Sequence, residues 1–188
     1  MNTSEKKKPS QQLSAKILLL TGLLIMLLCF FLPYATASDN NREYLEEYSD
    51  SMFIDELEMT NEDAVNISLF EYFNIYKHAL AINESEMIAV ICIILICASF
   101  GFTLLSLLFA VLKKPVAVII FNVLNLVAFY ANAWDHTDRG TIDNSSYDFG
   151  IGYYFYYIAA AIVFAGTIWT LVNKAKEKKQ SITEKNEV

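Results

Sequence analysis

Ionisable residues are missing from four long stretches of this chain. No Asp, Glu, Lys or Arg occurs in residues 17–36, 87–112, 115–134 or 151–172, so all 14 basic and 21 acidic side chains crowd into the remainder. Such a chain is not disordered, because disorder goes with low hydrophobicity and high charge throughout. Nor does it read as an ordinary soluble domain, since its apolar residues lie in blocks rather than along one face of each element. Cysteine is scarce, at 3 in 188 residues, which excludes a disulfide framework. Basic charge is outweighed, with a net charge of −7, which excludes the basic face that nucleic acid requires. The chain has no Gly-rich phosphate loop, no Ser–His–Asp constellation, and no H-E-x-x-H or C-x-x-C pattern. The expectation is therefore a protein that is not an enzyme and carries no cofactor.

What is present is hydrophobic. The chain is 55% apolar by residue. A helix rises about 1.5 Å per residue, so roughly 20 residues cross a 30 Å hydrocarbon core. Each uncharged block is long enough, and inside lipid each must bond its own backbone as a helix. The predicted fold is an all-α integral membrane four-helix bundle, the lipid bilayer being its first partner. The predicted spans are 17–36, 87–112, 115–134 and 151–172. They leave a 1–16 N-terminus, an inner turn at 113–114 and a 173–188 tail on one side, with outer loops 37–86 and 135–150 on the other. None of the three inner pieces is large enough to house a catalytic domain.

Charge sets the orientation. Lys6, Lys7, Lys8, Lys16, Lys113, Lys114, Lys174, Lys176, Lys178, Lys179 and Lys185 share one side, and only Arg42, Lys77 and Arg139 face the other. Lys and Arg resist translocation, so the lysine side is cytoplasmic and both termini lie inside. The acids reverse the pattern and make the outer side an acidic extracytoplasmic cap. A composition rich in Ile, Lys, Asn, Tyr and Phe favours a bacterial plasma membrane. The first block also fits a signal peptide, with a Lys-rich start, the apolar run Ile17–Leu32, Pro33, and Ala35-Thr36-Ala37 before Ser38. Cleavage after Ala37 would leave three spans.

The first outer loop carries helix-start signals. Asn40 with Glu43 has capping-box spacing, Thr60 and Asp63 suggest another short helix start, and Ser68 with Glu71 is the best local start signal. The last is followed by Leu69, Phe73, Tyr76 and Leu80 at helical period, predicting a helix over about residues 68–82 that caps the bundle. In the second outer loop, Asp135, His136 and Asp138 form a candidate cation site. Otherwise the loop reads as a hydrophilic turn with Arg139 paired to a neighbouring Asp.

No span carries an ionisable group, which argues against a pump, proton relay or voltage sensor. The deepest polar side chains are Asn122, Asn125 and Asn132, which share one face of the third span with Phe129. They form either a polar path or hydrogen-bonded glue between helices. Small residues predict the close contacts: Cys97, Ala98, Ser99 and Gly101 in the second span, Ala161 and Ala165 in the fourth. Cys29, Cys92 and Cys97 read as small apolar packers. The run Tyr153–Tyr157 reads as an interfacial girdle, with Tyr34 and Trp134 at the same level and Trp169 at the opposite one.

A Lys-rich start that runs into an apolar helix ending near Phe30-Phe31-Leu32-Pro33-Tyr34-Ala35 resembles the small, uncharacterised multi-span membrane proteins of low-GC Gram-positive bacteria. A short inner N-terminus, a larger first outer loop and a smaller second one are also similar to the claudin layout. The Trp and paired Cys that claudins carry in the first outer loop are missing from residues 37–86. The resemblance implies multi-pass membrane placement and no activity. Three functions remain open. One is an accessory protein that contacts a membrane or envelope protein partner through its acidic outer loop. Another is a small transporter or channel component using Asn122, Asn125 and Asn132. The third is an outer-face divalent cation sensor.

Overall fold

A computed structural model describes residues 8–82, 86–143 and 145–186. The predicted inner N-terminus is thus seen from Lys8 onward, and the tail as far as Asn186. The elements run α1 (Lys8–Leu28), β1 (Pro33–Ala37), α2 (Asp39–Glu47), β2 (Met52–Ile54), β3 (Met59–Thr60), α3 (Asn61–Ala64), β4 (Asn66–Ser68), α4 (Leu69–Ala81), α5 (Glu86–Val111), α6 (Pro115–Asp138), β5 (Tyr147–Phe149) and α7 (Ile151–Asn186). The structure is mostly helical. Three helical stretches are long and apolar enough to cross a membrane: Glu86–Val111, Pro115–Asp138 and Ile151–Thr183. The apolar part of α1, Gln12–Leu28, is shorter.

The long helices pack in two pairs, α1 along α7 and α5 along α6, joined by contacts of α6 with α7 and α1 with α5. Their burial is inverted relative to a water-soluble protein. The inward stripe of α5 is Ala89, Cys92, Ile96, Ser99, Thr103, Ser106 and Ala110, mostly small or hydroxylic. Its outward side chains include Ile91, Ile94, Leu104, Leu108 and Val111, all more than a third exposed. In α6 the amides of Asn122, Asn125 and Asn132 are buried while Val116, Ile120, Val127 and Tyr130 are more than half exposed. Water would reward the opposite arrangement. A hydrocarbon solvent is indifferent to large apolar side chains on the outside and drives polar ones to find protein partners.

The α5–α6 turn is a tight helix stop. Lys114 N–H donates to Phe109 O at 2.9 Å and Lys113 N–H to Ala110 O at 3.1 Å, with Lys113 left-handed at φ 56°. This is the Schellman pattern, closed here by lysine rather than glycine. Pro115 takes the first helical position, as its missing N–H allows.

Strands at the loop end depart from the all-helical expectation. Residues 33–36, predicted as the end of the first span, lie in β1. α1 already ends at Leu28 in tight turns, Phe30 N–H on Leu27 O and Phe31 N–H on Leu28 O, and Pro33, which has no N–H to donate, keeps the helix from resuming. β1 is the middle strand of an antiparallel sheet ordered β4-β1-β5. Ala35 pairs with both Ile67 and Phe149, and Thr36 with both Asn66 and Asp148. Both outer loops are thereby sewn to the end of α1. Gly150 allows this closeness: a Cβ there would stand 2.4 Å from Pro33 O. A second hairpin pairs β2 with β3.

Two of the three helix-start signals are realised as complete capping boxes, Thr60 with Asp63 and Ser68 with Glu71. The third is not realised: Ser38 takes the N-cap position of α2 without a side-chain cap bond, its N–H held by Ser146 O at 2.8 Å and its hydroxyl donating to Ser145 O at 2.6 Å. Further corrections concern the helix ends and contacts. α6 extends to Asp138, past the predicted end at Trp134, and α7 continues past 172 to Asn186, since no breaker intervenes in its Lys/Glu-rich end. Ala161 and Ala165 face outward, and the close face of α7 is instead Ala159, Ala160, Val163 and Gly166. Cys97 and Ala98 likewise lie off the buried stripe of α5.

Candidate functional site

Two polar clusters occupy the interior where α5, α6 and α7 meet each other and the loop end. The deeper is centred on Asn125. Its amide donates to Thr103 Oγ1 at 2.8 Å, and its carbonyl oxygen accepts from Tyr156 O–H. Thr103 in turn donates to Ser99 O at 2.9 Å. Three helices therefore share one amide. Tyr156 stacks on Phe129 with ring centroids 3.7 Å apart, which fixes the hydroxyl. Asn122 donates to Ala160 O at 3.3 Å. Among the described residues, Asn122 Oδ1, Asn132 Oδ1 and Ser106 Oγ are buried without a hydrogen-bond partner.

The second cluster joins the helices to the cap. Asn132 donates to Tyr34 O–H at 3.3 Å, while its backbone carbonyl lies 2.7 Å from His136 Nδ1. A carbonyl only accepts, so Nδ1 carries a proton. The Tyr76 hydroxyl oxygen lies 3.0 Å from His136 Nε2 and accepts from Arg139 Nη2 at 3.5 Å. Tyr76 therefore donates to Nε2 of the neutral ring. Burial pushes the Tyr76 hydroxyl well above the ordinary tyrosine range, so it stays an O–H donor. Arg139 pairs with Asp135, as expected of the turn, and donates to Cys92 Sγ at 2.9 Å. Burial opposes the guanidinium charge, but Asp135 and Tyr76 outweigh it and hold the group charged. Cys92 Sγ completes the set by donating to Asp135 Oδ2 at 3.2 Å.

Asn122, Asn125 and Asn132 do share the inward face: Asn122 bonds α7, Asn125 bonds α5 and α7, and Asn132 bonds β1. Asp135, His136 and Asp138 are not brought together. His136 is fully buried with both nitrogens engaged, Asp135 is paired with Arg139, and Asp138 is exposed. Among the described residues no group of three His, Cys, Asp or Glu gathers to hold a metal. The helix turns His136 about 100° away from Asp135, and the Asp135 carboxylate is taken up by Arg139. Cys92 is buried in the apolar core as expected, and its Sγ in addition touches the Asp135–Arg139 pair. The run Tyr153–Tyr157 is divided, with Tyr156 buried in the core and Tyr154 and Phe155 exposed.

Tyr76, Arg139, Tyr34, Thr103 and Tyr156 were not singled out as site residues by sequence. One signal was available: Ser99, Thr103 and Ser106 recur at three- and four-residue intervals along an otherwise apolar helix.

Mutation separates the roles of the amides. Asn125→Leu is expected to lower stability by about 1–2 kcal/mol, since it strands Tyr156 O–H and Thr103. Asn122→Leu costs less, about 0.6 kcal/mol, because Ala160 O keeps its helix partner. Thermal unfolding in mild detergent measures both, and an equal or larger loss for Asn122→Leu contradicts the assignment.

The fold and these clusters define a mostly helical protein with membrane-length apolar helices and a mixed α/β cap tied to them by buried polar contacts. Comparison with known proteins finds no matching family model, no matching curated sequence and no matching solved structure.

Proposed function

We propose that this chain is a multi-pass integral membrane protein of the bacterial plasma membrane, a four-helix bundle with both termini inside. In this reading it is not an enzyme. It presents its acidic cap to a membrane or envelope protein whose contact surface is basic. The observation that carries the reading is the surface of the first outer loop. All ten carboxylates between Asp39 and Asp63 are exposed, against a single basic residue, Arg42. Interleaved with them are Tyr44, Tyr48, Met52 and Phe53, each 43–58% exposed. Aromatics and Met set among charges of one sign are the composition of an interaction surface rather than of a merely solvated one.

The rest of the molecule supports a scaffold role. The inward ionisable groups of the cap are consumed by one another, and Asn125 is spent on helix contacts. Retention of the first helix belongs to the same reading, since cleavage after Ala37 would remove the middle strand of the sheet and the helix that lines α7. The inner placement of the lysines is tested by labelling cysteines engineered near Glu47 and Lys178 with an impermeant reagent on intact cells. The loop site reacts and the tail site stays silent.

Cross-linking in native membranes followed by affinity purification tests the partner. A defined protein is recovered with the wild type, and recovery falls at least about fivefold with the triple change Glu43→Lys, Glu46→Lys and Glu47→Lys, which sets like charge against the partner. A chain that stays alone, or recovery indifferent to those charges, defeats the proposal. The transporter reading draws on the unpaired Asn122 Oδ1 and Ser106 Oγ, and requires solute flux in reconstituted vesicles that Asn122→Leu abolishes.

A further inference from the structure

At the end of the bundle opposite the cap, α1, the α5–α6 turn and α7 enclose a cavity of about 450 Å³. Three ammonium groups border it, Lys16 from α1, Lys113 from the turn and Lys174 from α7. Lys174 Nζ is anchored across the mouth by donation to Lys113 O, which the left-handed stop at Lys113 presents. One carboxylate, Glu177, shares the lining and accepts from Gln12 Nε2. The cavity is therefore left with an excess of positive charge. Asn173 also borders the cavity and is only 8% exposed. The remaining wall is apolar, formed by Leu13, Leu19 and Ala110, and Leu13 is 60% exposed toward the outside of the bundle.

We propose that this cavity binds a phosphate group, that of an anionic phospholipid headgroup, with Lys16, Lys113 and Lys174 supplying charge. The amphiphilic lining matches the ligand. The phosphate meets the lysines at the headgroup level, while an acyl chain lies along Leu13 and the outward face of α1. Basic pockets between membrane helices on the cytoplasmic side favour such lipids by charge and by the hydrogen bonds their oxygens accept. The lipid as the source of the phosphate rests on the membrane reading above. The site does not depend on what the acidic cap contacts.

The full chain, purified in a mild non-ionic detergent, is titrated with short-chain phosphatidylglycerol, with phosphatidylcholine of the same chain length, and with inorganic phosphate, following the thermal midpoint. Phosphatidylglycerol raises the midpoint saturably and phosphatidylcholine does so more weakly. Lys16→Gln weakens the apparent affinity about fivefold. Glu177→Gln tightens it, a gain that misfolding cannot produce. Saturable binding of inorganic phosphate that competes with phosphatidylglycerol and responds to the same two variants upholds the site and makes free phosphate its source. The proposal is overturned if none of the three ligands shifts the midpoint. It is also overturned if phosphatidylglycerol acts alike on the wild type, Lys16→Gln and Glu177→Gln. Failure of the membrane reading shows separately, as reversed labelling of the Glu47 and Lys178 sites.

Discussion

Gly166→Val is expected to unfold the protein at a much lower temperature in detergent, a loss of about 3 kcal/mol or more. A Cβ at this position stands 2.7 Å from Leu19 N and 2.9 Å from Leu19 Cα. Both are backbone atoms, so no rotamer change relieves the clash, and α1 and α7 have to separate. Between helices in lipid, association depends on close van der Waals packing rather than on removing apolar surface from water. Separation by even an ångström therefore forfeits attraction along the whole seam. Gly22 faces the same seam, where a Cβ meets Val163 Cγ2 at 2.9 Å, Ile162 Cγ2 at 3.0 Å and Ala159 O at 3.1 Å. Gly22→Ala is therefore strained too, but costs less than Gly166→Ala, whose two nearest contacts are both backbone atoms. Gly101→Ala is the internal control. Its Cβ meets nothing within 4 Å, and the gain in helix propensity, about 1 kcal/mol, makes it neutral or stabilising. If Gly166→Val melts with the wild type, the α1–α7 contact is not as close as the structure places it.

Arg139→Ala carries the second large effect, a loss of about 2–4 kcal/mol with early proteolysis of the cap. The side chains of Arg139 and Asp135 are only 22% and 21% exposed. Removing the guanidinium leaves the Asp135 carboxylate uncompensated beside Cys92 and takes a donor from Tyr76. Breaking one side of a largely buried pair costs more than the pair itself contributes, because the remaining charge is desolvated and unpaired. The double variant Arg139→Gln with Asp135→Asn is therefore expected to recover most of the loss. Thermal unfolding of the two singles and the double closes the cycle. A single-variant loss below about 0.5 kcal/mol places the pair with solvent-exposed ion pairs, which contribute little.

The two results test different links of one construction. Gly166 holds α1 against the bundle, and the end of α1 feeds β1, whose Tyr34 is fully buried edge-on to Tyr72, Phe129, His136, Phe149 and Tyr153. Arg139 holds the same junction from α4, α5 and α6. Loosening either one is expected to free the cap that displays the acidic surface.

Uncharged blocks of 20 to 26 residues, lysines gathered at alternate boundaries and the helix starts at Thr60 and Ser68 were legible along the chain, because each depends on near neighbours and on a solvent preference local in sequence. The inward placement of Asn122, Asn125 and Asn132 was legible for the same reason, a helical period. Which partner each amide meets was not legible, since Thr103, Tyr156 and Tyr34 come from elements 22 to 98 residues away. The strands were missed because β1, β4 and β5 are three to five residues long and pair only across loops. A candidate site at Asp135, His136 and Asp138 counted neighbours in sequence as neighbours in space. The helix continues through them and sends His136 inward, Asp135 to Arg139 and Asp138 to the surface. Local composition thus determined which stretches form long apolar helices of membrane-spanning length and where the chain stops being helical. Only the tertiary structure decided which buried hydrogen bonds join helices to cap, because those bonds close long loops whose ends no periodicity relates.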